Sequence, residues 1–165
     1  MSTPTPTTAE TEDARRALLW TGVTLGVGVI GTLDGVVLHE LLQWHRLYVH
    51  TTEFWRTFID GVFHLVTSAL LFWGAMRLWS DPHLLSRAGR PRVLWAGMLF
   101  GMGGFNPYDG TIQHKVLKLH QIRPSDPNQL PYDVVFLAIA VAFVLLGLLM
   151  LRLAGRRRSR AGSSG

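Results

Sequence analysis

VVFLAIAVAFVLLGLLML, residues 134–151, contains no charged side chain. A helix over this stretch is about 27 Å long at 1.5 Å per residue. That nearly matches the roughly 30 Å hydrocarbon core of a bilayer. Working outward, three more windows have the same character: 17–43, 57–79 and 92–118, with the quoted stretch inside a fourth at 132–154. The chain has 165 residues, of which 48% are hydrophobic and 16% charged; soluble domains carry about 25% charged residues. These features predict an all-α integral membrane protein with four transmembrane helices.

The first and third windows share a phrase. Asp34-Gly35 is followed by His39, Leu42 and His45, and Asp109-Gly110 by His114, Leu117 and His120 at the same spacing. Shifting the chain by 75 also superposes Arg15 on Arg90, Leu19 on Leu94 and Trp20 on Trp95. Gly22, Gly26 and Gly28 fall on Gly97, Gly101 and Gly103. A weaker echo at a shift of 73 sets Asp60 and Phe63 against Asp133 and Phe136. The expected architecture is therefore a 2+2 parallel internal repeat, with halves at about 15–80 and 90–155. Gly103-Gly104-Phe105-Asn106-Pro107 predicts an interruption of helix three near Asn106-Pro107, with Asn106 capping a new half-helix.

Charge assigns an orientation. Arg15, Arg16, Arg77, Arg87, Arg90, Arg92, Arg152, Arg156, Arg157, Arg158 and Arg160 fall on one side of the four windows. Arg46, Arg56, Lys115, Lys118 and Arg123 fall on the other. The excess predicts both termini and the 80–91 loop in the cytoplasm. Residues 1–14, rich in Thr and Pro, read as a disordered cytoplasmic tail. Residues 156–165 read as a basic cytoplasmic tail, a topology signal rather than a nucleic-acid contact. A cleaved signal peptide is not expected, because the segment after Arg15-Arg16 is long and carries half of the repeat. The chain has no cysteine, which excludes disulfides, thiolate metal sites and cysteine nucleophiles. The lipid bilayer is the expected partner, with a second copy of the chain or a respiratory complex as further candidates.

With this topology Asp34, Asp60, Asp109 and Asp133 mark the outer ends of all four helices, and His39, His45, His50, His64, His114 and His120 lie on the same side. Aspartate at the centre of a spanning helix costs about 2.5–3.5 kcal/mol, less near the edge, so Asp34 and Asp109 need partners. The ordinary reading of Asp133 is a helix N-terminal charge. Asp60 and His64 share a helix face at i,i+4, a spacing that suits two metal ligands or a carboxylate orienting an imidazole. His39 and His45 stand about 240° apart on a regular helix and cannot bind one ion together. A shared site must therefore join helices: His39, His64 and His114 at its centre. Asp34, Asp60 and Asp109 serve as ligands or as partners of the ligands, and His45 and His120 form an outer layer. Imidazole and carboxylate without thiolate suit a transition metal ion, whether zinc, copper, iron or manganese. The bland alternative is interfacial histidines bonded to water and headgroups.

The strings LDGVVLHELLQWH (33–45), DGVFH (60–64), GMGGFNPYDGTIQHKVLKLHQIR (101–123) and LPYD (130–133) resemble a bacterial membrane-protein family, domain of unknown function 2243. The resemblance runs from about residue 18 to 153. It implies four spanning helices in a bacterial inner membrane and supplies no mechanism.

Four functions compete at this point. A metal-binding membrane protein, handling a metal or using it, follows most directly from the His/Asp set. A haem protein would use His39 and His114 as axial ligands across the bundle. A small transporter or proton path would use Asp34 and Asp109. A metal-dependent hydrolase has only composition behind it, since neither HExxH nor GxSxG occurs.

Overall fold

The computed structural model describes residues 7–44, 47–48, 50–87, 91–107 and 126–162. Among them every regular element is helical. α1 spans Thr8–Asp34 and passes directly into a π-helix at Gly35–Leu41. α2 spans Glu53–Ser80, α3 is a single turn at Leu84–Arg87, α4 spans Pro91–Pro107, and α5 spans Leu130–Gly162.

α1 begins earlier than the expected boundary of the N-terminal tail. Thr7 and Glu10 form a capping box: the Glu10 amide donates to Thr7 Oγ1 at 3.3 Å, and the Thr7 amide donates to Glu10 Oε2 at 2.7 Å. Two orphan donors are thereby satisfied, which extends the helix back to Thr8. At the other end α5 continues to Gly162, so most of the basic tail prolongs a helix. The break expected near Asn106-Pro107 is not found on the described side. α4 passes through Gly103-Gly104 without interruption and reaches Pro107; residues 108–125 lie outside the described set.

Among the described residues three helices are long and apolar enough to cross a membrane: Thr8–Leu41, Glu53–Ser80 and Leu130–Gly155. Only the first part of the third expected span, 92–118, is described, as α4. α1 and α4 form the central pair, with α2 packed on α1 and α5 packed on α4. The surface fits a lipid solvent. Trp20, Phe72, Trp73, Trp79 and Trp95 are exposed, as are Val134, Leu137 and Leu145 of α5. Burial instead concentrates in small residues. A Cβ on Gly26 would run into the Met98 carbonyl, and one on Gly101 into the Val23 carbonyl. Gly22 faces Gly97 in the same way. The two backbones therefore touch. In lipid, where hydrophobic burial does not drive helices together, such close approach supplies the dispersion contact that does. Because Gly22 meets Gly97 and Gly26 meets Gly101, α1 and α4 run parallel.

Candidate functional site

The site forms where α1 widens. Over Gly35–Leu41 the helix takes π geometry; the Leu42 amide donates to the Val37 carbonyl at 2.9 Å, five residues back. In a regular α-helix five residues turn the chain by about 500°, leaving Asp34 and His39 about 140° apart. The i→i+5 pattern puts more residues into each turn than an α-helix does, so His39 comes round toward Asp34. Gly35 allows this, because its missing side chain is the space filled by the His64 ring of α2. The segment closes at Gln43, whose φ of 50° lies in the left-handed region. A side chain there costs about 1–2 kcal/mol, a strain the surrounding contacts must hold.

His39 is 1% exposed and lies between two carboxylates. Its Nδ1 is 3.1 Å from Asp60 Oδ1, and its Nε2 is 3.5 Å from Asp34 Oδ2. A carboxylate only accepts, so the Nδ1 proton points to Asp60. Asp60 Oδ1 also accepts the Leu47 amide at 2.9 Å, which fastens the loop after the π-helix to α2. Asp60 is itself 1% exposed. The Phe63 ring stacks on His39 at 5.7 Å, and the His64 ring meets it edge-on at 6.4 Å. His64 Nε2 lies 3.7 Å from Glu40 Oε1. Phe63 in turn reaches Phe105 of α4 at 6.3 Å.

Four of the expected residues, Asp34, His39, Asp60 and His64, thus converge. Asp60 orients His39 across the helix pair, rather than the His64 one turn along its own helix. His45, Asp109, His114 and His120 lie outside the described residues. Among the described residues no group of three or more His, Asp or Glu side chains is arranged to hold a metal ion. Sequence reasoning missed Glu40, Phe63 and the Leu47 amide. Phe63 alone had a signal, in its repetition as Phe136 three residues after an aspartate. Asp133 opens α5 in its first turn, the position expected of a helix N-terminal charge.

A family model described as "Predicted membrane protein (DUF2243)" matches residues 21–154. The chain belongs to this family. The match covers the buried Asp34, His39 and Asp60, and it identifies the exposed apolar helix faces as surfaces for lipid. No curated protein matches the chain, and no solved structure does either.

Proposed function

We propose that this family member is a metal-binding membrane protein, with the ion held at the outer end of the α1–α4 pair. The carrying observation is the distance of 3.5 Å between His39 Nε2 and Asp34 Oδ2. It is long for a hydrogen bond, which prefers about 2.7–3.2 Å. Two ligands bound to one zinc-like ion at about 2.0–2.2 Å, with a tetrahedral angle between them, sit about 3.4 Å apart. The bond from His39 Nδ1 to Asp60 supplies the complementary half: a carboxylate on one ring nitrogen fixes the tautomer and turns the other toward a metal. Asp34 and His39 are the first two ligands in this reading. Asp109 and His114, their mates in the repeated phrase, are the other two. His64 stands beside the pair, and His45 and His120 belong to the approach from water.

The 2+2 repeat with four spans is part of the proposal, and the helix contacts support it. Gly28 meets Leu71 and Gly103 meets Val144; Gly74 meets Leu25 and Gly147 meets Phe100. Each second contact repeats the first at offsets of 75 on α1/α4 and 73 on α2/α5, the shifts found in the sequence. Equivalent residues touching across the α1–α4 seam describe a local two-fold along the helices, the isologous pattern of a symmetric pair. In this arrangement both termini lie on the cytoplasmic side and the site opens on the outer one. A haem is less well supported, because Asp34 occupies the approach to the nitrogen that its iron would need.

Metal analysis of protein purified in mild detergent and reconstituted in turn with zinc, copper(II), iron(II) and manganese(II) tests the proposal. One ion per chain is expected, lost in His39→Ala and in His114→Ala while the helix content is retained. Wild-type protein that stays metal-free with all four, or variants that keep the ion, would sink it. Proton flux into proteoliposomes that disappears in Asp34→Asn, with no bound metal, would move the same residues to a proton path.

A further inference from the structure

At the N-terminal end of α1 a cleft of about 290 Å³ opens between α1, α4 and α5, lined by Glu12, Arg15, Arg16, Leu19, Val93 and Leu151. We propose that it binds an acidic phospholipid, with the phosphate on Arg15 and Arg16 and an acyl chain along Leu19 and Leu151. Two observations lead there.

First, the lining is divided by depth. The charged residues precede the apolar part of α1, and Leu19, Val93 and Leu151 lie within the apolar parts of their helices. A phospholipid presents the same order, anionic head and then hydrocarbon, and basic pockets between spanning helices suit anionic headgroups. Second, the arginines are available. Among the described residues neither guanidinium has a carboxylate within ion-pair distance, and Glu12 makes no ion pair with either. Two guanidiniums and one carboxylate leave one positive charge, which matches a phosphodiester with a single negative charge. A paired planar fork is also the geometry that binds phosphate oxygens best.

Native mass spectrometry of the delipidated full chain, in neutral detergent, tests the proposal by titration with phosphatidylglycerol and with phosphatidylcholine. Phosphatidylglycerol is expected to bind more tightly. The double variant Arg15→Gln/Arg16→Gln should weaken it about tenfold or more and leave phosphatidylcholine unchanged, whereas Arg15→Lys/Arg16→Lys should retain most of the preference. Leu151→Trp keeps both arginines but fills the acyl part of the cleft. It should lose phosphatidylglycerol binding too, and it gives the answer if the glutamine variant does not fold. Unchanged phosphatidylglycerol binding in the glutamine double variant or in Leu151→Trp overturns the proposal. So does displacement of the lipid by millimolar inorganic phosphate, which would identify a site for soluble anions.

Discussion

Replacing Asp60 by Ala removes the acceptor shared by His39 Nδ1 and the Leu47 amide, at 3.1 and 2.9 Å. Each donor left without a partner costs about 1–3 kcal/mol, so the two together cost about 2–6 kcal/mol. The deletion also brings a gain, since it takes a carboxylate out of the membrane. That relief is at most the roughly 2.5–3.5 kcal/mol found at the bilayer centre, and it is smaller near the edge, where Asp60 lies in the first turns of α2. At mid-range the lost hydrogen bonds, about 4 kcal/mol, exceed a relief near the edge of about 2 kcal/mol, and a net destabilisation of about 2 kcal/mol is expected. Asp60→Asn keeps one acceptor oxygen and should fall between Ala and wild type. Unfolding in mixed micelles gives the free energies, and nitrogen-15 NMR of labelled histidine gives the tautomer. In wild type the His39 proton sits on Nδ1, while in Asp60→Ala that preference should be lost. An Asp60→Ala protein as stable as wild type, with its His39 tautomer unchanged, would refute the reasoning. The carboxylate would then not be what holds the ring.

Gly26→Ala and Gly101→Ala should each destabilise by about 1–3 kcal/mol relative to Gly61→Ala, because their Cβ atoms land on backbone carbonyls while Gly61 faces open space; comparing unfolding in the three variants cancels the gain in helix propensity. Equal effects in all three would remove the glycine seam as the source of α1–α4 packing. Gly35→Ala should displace the His64 ring and reduce metal retention, read by metal analysis beside Gly104→Ala, which has open space around it and should behave as wild type. The chain has no cysteine, so single cysteines report topology without background. Ser86→Cys should react with an impermeant maleimide only from the cytoplasmic side and Asn128→Cys only from the opposite one; both reacting from one side would contradict the proposed orientation.

Much of the fold is legible in the chain. The apolar run at 134–151 needs only its length and lack of charge to specify a spanning helix, because lipid offers the backbone no other partners. The glycines at 22, 26, 97 and 101 were visible as a repeated pattern. That they face one another is a fact of packing, which no spacing along one helix states. The start of α1 at Thr8 is not legible in a Thr- and Pro-rich composition, because the Thr7–Glu10 capping box that sets it is a local geometry.

For the site, the sequence alone determined which residue types occur and that they recur: two Asp-Gly phrases, each followed by two histidines at the same spacing. It also determined that regular helical spacing forbids His39 and His45 from sharing an ion. The tertiary structure decided the pairing. The π-helix brings Asp34 and His39 together across a spacing that an α-helix would separate, and Asp60 turns to His39 instead of His64. The physical reason is that a hydrogen-bond register, once widened by a residue, rotates every side chain beyond it. Composition does not encode that rotation; the packing of Gly35 against the His64 ring accommodates it.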